Sequence, residues 1–379
     1  MTAPGALRPG TPEEAAAMLG EAAAAGRSIR PVGGGCLLDL GGGRPAPDVL
    51  LHTGALTRTV FHEPAELVIK VGAGVTLAAL QAQLATGGQE VPWDLPWPDR
   101  QTVGGILAAG IAGPRRLGHG MPRDHVLGLT VALADGRTIR PGGRVVKNVA
   151  GYDLTRLFLG SRGDLGVITE VVLKSKPLPE DAIAVSVDYA AVPALGAALA
   201  RLREARLGLS FLEVRGRWGA YTLVAGAEGL RESVGSQRER ILAAVADGRH
   251  AAEHRGASVR PFLAEQARAP WEIPGLILRA SVPRTKVPAL LEAVEGPVVA
   301  NAGTGVIRIA QGRAFAAAEA RDLLGRVDAI CAGYGGWAVQ ERGPLPLAQA
   351  EPGLGGDRLA LEGGLRRVFD PQARLTPAT

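Results

Sequence analysis

The sequence predicts an α+β fold in two parts, on three observations. Its 379 residues are too many for one ordinary hydrophobic core. Residues 1–177 alternate short strand patterns with capped helices and glycine turns. Residues 182–341 repeat a βαββαβ order, which is typical of ferredoxin-like units with an antiparallel sheet. We therefore predict three regions: a first domain (1–177), a second domain (178–345) and a C-terminal segment (346–379) that returns to the first domain.

The first domain opens on a well-marked helix. Thr11 is the N-cap, Pro12 the first helical residue and Glu14 the capping-box acid, and the alanine-rich run that follows ends at Gly26. Thr76 caps a second predicted helix that stops before Gly87. The remaining elements are predicted strands at residues 28–32, 49–52, 58–62, 67–71, 129–133, 138–140 and 167–174.

In the second domain the two repeats are separated by residues 248–271, which read as an irregular connection. His250 and His254 lie there four residues apart, a spacing that would place two metal ligands on one helix face. Their polar, glycine-flanked setting favours a solvated loop, so we predict no metal site. The predicted helices of this domain are 192–206, 230–245, 286–294 and 315–330, and its predicted strands are 182–188, 209–214, 220–224, 276–282, 298–302, 306–310 and 337–341. A last helix is predicted at 357–369, in the C-terminal segment.

Composition narrows the functional class. The net charge is +5 and the pI about 9.5, but the chain has few lysines, scattered arginines and only 4% aromatic residues, so we expect no nucleic-acid partner. Two cysteines cannot supply a disulfide framework or a four-cysteine metal site. The N-terminus resembles no signal peptide and no stretch is long and apolar enough to span a bilayer. We expect a cytoplasmic protein with at most peripheral membrane association.

Three glycine-rich stretches carry the functional signal. Gly33, Gly34 and Gly35 follow a strand, where exposed backbone N–H groups favour an anion. No helix opens after them, so a Rossmann fingerprint is excluded. The second stretch runs from Thr102 to Gly120, and the third is 160–168. Backbone with so few side chains can approach a flat or phosphorylated ligand closely.

These stretches resemble the vanillyl-alcohol oxidase and p-cresol methylhydroxylase (PCMH) family of FAD-binding proteins. The resemblance covers residues 27–176, and residues 369–371 and 375–377 are similar to that family's closing motif. It implies a two-subdomain PCMH-type FAD-binding domain under a cap domain, with the first turn on the pyrophosphate, residues 98–113 along the pyrophosphate and flavin, and residues 160–168 on the adenine side. The implied FAD-binding residues are Pro31, Val32, Gly33, Gly34, Gly35, Cys36, Pro98, Asp99, Thr102, Val103, Gly104, Gly105, Ala109, Gly110, Gly113, Arg115, Arg116, Gly118, Gly120, Arg123, Asp124, Gly160, Gly163, Gly166, Val167 and Ile168.

Within that family the chain is similar to the FAD-binding subunits of glycolate oxidases. Residues 114–118, 122–124, 146–153 and 303–308 support this likeness. It implies a small 2-hydroxy acid as substrate, and a larger flavoprotein subunit and an iron–sulfur subunit as partners. Two alternatives stay open: a stand-alone FAD-dependent 2-hydroxy acid oxidase or dehydrogenase, and a non-catalytic assembly subunit that keeps the fold.

The sequence departs from the family where covalent and catalytic groups would stand. Gly35 and Cys36 occupy the turn in which relatives often carry a flavin-linking histidine, so we expect non-covalent FAD. The cap lacks the histidine cluster of catalytic relatives. Arg279 and Arg308 are candidates for binding a substrate carboxylate, with a cross-strand pair to a cap carboxylate as the alternative. Tyr152 is a candidate for proton transfer.

Overall fold

The structure is a computed structural model that describes residues 5–144, 153–217, 219–346, 349–351 and 356–375. Residues 5–177 hold two larger sheets and a two-stranded antiparallel sheet formed by Gln89–Glu90 and Lys176–Pro177. The strands β1, β3 and β2 form a parallel sheet in the order β1-β3-β2, and an antiparallel sheet has the order β4-β5-β9-β7-β8. The elements are β1 (Gly5–Leu7), α1 (Pro12–Ala24), β2 (Ile29–Val32), β3 (Val49–His52), β4 (Thr59–Glu63), β5 (Val68–Gly72), α2 (Leu77–Ala85), β6 (Gln89–Glu90), α3 (Val103–Ala109), α4 (Arg116–His119), β7 (Val126–Ala132), β8 (Thr138–Ile139), α5 (Thr155–Phe158), β9 (Val167–Lys174) and β10 (Lys176–Pro177).

Helix α1 joins these two sheets. It begins as the sequence predicts. The Thr11 hydroxyl accepts a hydrogen bond from the backbone N–H of Glu14, and Pro12 has no backbone N–H that would need an acceptor. Its buried face, which includes Leu19, packs against Leu51 of the parallel sheet and Val167 of the antiparallel sheet. This packing holds the end of β2, and therefore the Gly33 turn, against the second sheet.

Residues 181–342 form one eight-stranded antiparallel sheet with helices on it. Its strand order is β14-β11-β13-β12-β16-β17-β15-β18, so the two repeats meet at β12 and β16, where Glu213 pairs with Asn301. The predicted cap of two ferredoxin-like units is confirmed. The elements are β11 (Asp181–Tyr189), α6 (Val192–Glu204), β12 (Phe211–Arg217), β13 (Ala220–Gly229), α7 (Arg231–Ala244), β14 (Arg249–Arg255), α8 (Val259–Glu272), β15 (Ile277–Ser281), α9 (Val287–Ala293), β16 (Val298–Asn301), β17 (Val306–Ala310), α10 (Ala317–Gly333) and β18 (Trp337–Arg342).

The connection between the two repeats is regular, which corrects the sequence-based expectation. Residues 249–255, predicted as a solvated loop, form the edge strand β14 paired with β11, and α8 follows. An edge strand with one neighbour keeps a polar, exposed side, so its sequence resembles a loop. The ring of His254 stacks on Phe262 of α8 at 4.2 Å between centroids. The two histidines therefore do not share a helix face.

The last described residues contact the first domain. Helix α11 (Gly356–Phe369) places Phe369 edge-on against Phe158, with the ring centroids 5.4 Å apart. Beyond it, the carbonyl of Arg374 accepts a hydrogen bond from Ile29 N–H, and Leu375 is buried beside α1. Among the helices that the structure describes, none is long and apolar enough to cross a membrane.

Candidate functional site

A cleft of about 690 Å³ opens where the three glycine-rich stretches meet. The first stretch contributes Gly33–Cys36, the second contributes Thr102, Gly105, Ala108 and Ala109 with the preceding Gln101, and the third contributes Arg162. Two backbone hydrogen bonds of 2.8 Å hold the third stretch to helix α3: Gly160 N–H donates to the Leu107 carbonyl and Arg162 N–H to the Ala108 carbonyl. Segments far apart in sequence thus share one cavity.

The glycines allow this close approach of backbone to backbone. A Cβ on Gly34 would lie 1.8 Å from the Arg100 carbonyl oxygen, and one on Gly33 would lie 2.3 Å from the Thr102 hydroxyl. Thr102 is itself fixed, since its hydroxyl caps α3 by accepting from Gly105 N–H at 3.2 Å. Side chains at these two positions would push the first stretch away from the second.

Arginines crowd one side of this cleft. Arg30, Arg44 and Arg162 all line it, and burial together with the nearby Arg44 lowers the pKa of Arg30. Burial also lowers the pKa of Arg162. Asp164 partly compensates this positive charge, because Nη1 and Nη2 of Arg44 donate to its carboxylate oxygens at 2.5 and 3.1 Å. The cluster favours an anionic ligand.

Two buried donors at the cleft lack partners among the described residues. They are Nε2 of Gln101, a residue only 4% exposed, and Nε of Arg162. Arg162 also holds a left-handed backbone conformation (φ 58°), which costs a non-glycine residue energy. Buried donors are normally satisfied, so both fit a ligand that brings acceptor oxygens. Nε2 of Gln101 and Nε of Arg162 therefore suit the pyrophosphate of FAD.

A second, smaller cavity lies between the first domain and the cap. The first domain contributes Asp94–Pro96, Ile111–Pro114 and Arg116. The cap contributes the side chains Glu213, Gln266, Trp271, Asn301 and Arg308, which stand on β12, α8, β16 and β17. Residues 111–116 come soon after helix α3, which lines the first cleft. One continuous stretch of chain therefore lines both cavities.

Glu213 is the titratable group at the centre of this cavity. It is buried, and burial raises its pKa to about 8 against the opposing effect of Arg308. One carboxylate oxygen accepts a hydrogen bond from Asn301 Nδ2 at 2.6 Å, and the same nitrogen donates to the Pro114 carbonyl at 3.1 Å. Asn301 therefore fixes Glu213 relative to the first domain.

The structure places the predicted cofactor residues in three settings. Pro31, Gly33–Cys36, Thr102, Gly105 and Ala109 line the first cleft, and Gly113 and Arg116 line the second cavity. Others support these walls: Gly104 presses on Ala73, Gly110 on Gly160, and Gly163 on Pro31. The rest lie away from both cavities. Gly118 packs on Ser210 of the cap, and Arg115 is in a buried ion network. The buried residues are Val32, Val103, Gly166, Val167 and Ile168, and the partly or largely exposed ones are Pro98, Asp99, Gly120, Arg123 and Asp124.

The three candidate catalytic residues, Arg279, Arg308 and Tyr152, also lie in different places. Arg308 binds Glu341 with Nε at 2.5 Å and Nη2 at 3.0 Å, and Arg279 approaches the same carboxylate at 3.6 Å. The cross-strand pair foreseen as the alternative is thus present, and Arg308 still lines the second cavity. Arg279 does not line it. Tyr152 lies outside the described residues.

Sequence reasoning missed Arg30, Arg44, Gln101 and Arg162 in the first cleft, and Glu213 in the second cavity. The one local signal for Glu213 is its place among the apolar residues Phe211, Leu212 and Val214 at the start of strand β12. The arginines carry no local signal, because only tertiary contacts bring them together.

The fold and the first cleft define a two-domain flavoprotein, with a cofactor-binding domain beneath an antiparallel cap. Residues 3–142 match the family model described as "FAD binding domain". These residues form an FAD-binding domain of the PCMH type, and the family resemblance found in the sequence is confirmed.

Individual relatives agree. Glycolate oxidase subunit GlcE of Escherichia coli is 44% identical over 138 residues, which is 36% of this chain and 39% of that protein. The chain thus spans well under half of this relative. The FAD-linked oxidoreductase Rv2280 of Mycobacterium tuberculosis is 28% identical over 98% of this chain and 89% of its own length. A solved structure of alkyldihydroxyacetonephosphate synthase has the same fold, with a TM-score of 0.73 and 15% identity over 99% of this chain and 76% of that one.

Proposed function

We propose that this chain is the FAD-binding subunit of a glycolate oxidase-like complex that oxidises a small 2-hydroxy acid. The observation that carries the proposal is the cleft built by the three glycine stretches, with its unpartnered donors on Gln101 and Arg162. The 44% identity to GlcE falls on 138 residues, and GlcE is by its name a subunit of glycolate oxidase. The larger flavoprotein and iron–sulfur subunits belong to this proposal.

In this proposal the Gly33–Cys36 turn, Gln101 and Arg162 hold the FAD pyrophosphate, and Arg30 and Arg44 balance its charge. When bound, FAD would supply the acceptor for the hydride, and so for the two electrons, that an alcohol loses on oxidation. We expect the cofactor to bind non-covalently, because no histidine stands at position 35 or 36 and burial raises the pKa of the Cys36 thiol, which makes it a poorer nucleophile at neutral pH.

Co-purification from native extract tests the proposal. We expect the chain to carry flavin absorbance and to travel with a larger flavoprotein and an iron–sulfur protein, and we expect anaerobic glycolate or D-lactate to bleach the flavin of the complex. Turnover of either acid by the isolated chain would instead identify a stand-alone enzyme. A flavin that never bleaches, even in the complex, would identify an assembly subunit.

A further inference from the structure

The cavity between the two domains holds a cation, Arg116, whose surroundings suit an anionic ligand. Arg116, half-buried at the start of α4, forms no ion pair with the residues the structure describes. Burial and the nearby Arg308 lower the pKa of Arg116. A half-buried, unpaired guanidinium beside a second one is costly unless an anion binds there.

The same cavity holds an unsatisfied donor. Nε2 of Gln266, on α8, is buried without a hydrogen-bond partner among the described residues, and the whole residue is 4% exposed. It lines the cavity together with Arg116 and Arg308. This donor and the two guanidinium groups are suited to the oxygens of a small acid.

We propose that this cavity binds the carboxylate of a small 2-hydroxy acid between Arg116 and Arg308, with Glu213 as the carboxyl group that controls the charge of the site. The inference rests on the proposed function for its substrate class. It assigns Arg116 to the substrate rather than to the cofactor, and it adds Glu213 and Gln266, which the sequence did not indicate.

The charge balance predicts a pH dependence. Glu213 faces Asp94 of the first domain, Arg116 of α4 and Arg308 of β17, while Glu341 of β18 already pairs with Arg308 and lies near Arg279 of β15. With a pKa of about 8, Glu213 is neutral below that pH and leaves Arg116 to the ligand. Above it, ionised Glu213 competes for the arginines and repels the incoming carboxylate. Affinity for the acid therefore falls as the pH rises through about 8.

Calorimetry of the FAD-loaded protein tests the site without turnover. The probe is 2-hydroxyisobutyrate, which has a carboxylate and a hydroxyl but no hydrogen on C2 to lose. We expect Arg116→Met to weaken its binding by about tenfold or more, since a charge-assisted pair is removed. Arg268→Met is the matched control: Arg268 lies on α8 but is 47% exposed in a surface pair with Glu272, and its loss should leave binding unchanged.

Glu213→Gln gives the second test, with flavin content and melting temperature as checks of folding. It should abolish the fall in affinity above pH 8, and proton uptake on binding near pH 8 should disappear with it. Equal probe affinity in wild type, Arg116→Met and Glu213→Gln, with full flavin content, would overturn this site and leave the proposed function intact. A protein that binds no FAD would overturn the proposed function instead.

Discussion

The guanidinium of Arg115 lies 3.2 Å from the carboxylate of Glu228 and joins the cap to the FAD-binding domain. The same side chain contacts Asp94 and Glu90, both at 3.0 Å, and it is only 2% exposed. Burial lowers the pKa of Arg115, but Asp94, Glu228 and Glu90 outweigh it and raise the pKa well above the usual value. Arg115 thus fixes the relative position of the two domains whose boundary forms the second cavity.

Removing this cation should destabilise the protein strongly. Arg115→Met leaves buried Asp94 without a pairing cation and leaves Glu90 and Glu228 with only Arg260 and His119, so we expect the free energy of unfolding to fall by about 3–5 kcal/mol. Denaturant unfolding measures it. Arg137→Met, in a surface pair in which Arg137 is 70% exposed, is the control and should change stability by less than about 1 kcal/mol. Equal effects of the two substitutions would show that the Arg115 network contributes nothing beyond a surface pair.

The close approach of the first two glycine stretches predicts a sharp effect of one methyl group. Gly34→Ala should sharply reduce the flavin content, because the added Cβ would lie 1.8 Å from the Arg100 carbonyl oxygen. Gly235→Ala on α7 adds its Cβ to open space and should leave the flavin content unchanged. The ratio of flavin to protein absorbance measures both. Full flavin content in Gly34→Ala would contradict the arrangement.

The unpartnered donor of Arg162 predicts a loss of cofactor affinity. Arg162→Met should weaken FAD binding to the apoprotein by roughly tenfold or more, because a charge-assisted hydrogen bond to the ligand is worth about 1.5–3 kcal/mol. Quenching of FAD fluorescence on titration measures the dissociation constant. Arg326→Met, on helix α10 far from the cleft in sequence and fold, serves as the control. An unchanged dissociation constant in Arg162→Met would remove Arg162 from the site.

The titration of Glu213 predicts how stability changes with pH. Its pKa is raised from 4.5 to about 8 on folding, so between these values the folded state holds a proton that the unfolded state has lost. This contribution is therefore largest below pH 4.5 and is lost as the pH rises to about 8, at about 1.4 kcal/mol per pH unit at most. Unfolding of wild type and Glu213→Gln at pH 5.5, 7 and 8 should show the variant gaining relative stability with pH. Parallel curves would mean that Glu213 does not titrate in this range.

Non-covalent binding of FAD predicts a simple separation. Acid precipitation should leave the flavin in the supernatant, and Cys36→Ser should keep its flavin content, because the half-buried Cys36 thiol lines the cleft with a raised pKa and is expected to form no bond to the flavin. Flavin that remains with the precipitated wild type but not with Cys36→Ser would demonstrate a thioether and contradict this expectation.

The sequence predicted those features whose signal is local. Thr11 and Thr76 cap their helices as expected, and the glycine density indicated a backbone-lined cleft. It could not predict the second cavity, because Arg116 and Glu213 belong to different domains and come together only in the folded chain, where contacts such as Asn301–Pro114 join the domains. Strand β14 was missed because an edge strand has one exposed side and lacks the apolar alternation of the central strands.

We propose that the three glycine stretches form one FAD site, and a structure of the protein with bound FAD decides this. We expect pyrophosphate oxygens within about 3.2 Å of the Gly33–Cys36 backbone N–H groups and of Gln101 Nε2. FAD bound elsewhere, with the cleft between Gly33 and Arg162 empty, would contradict it.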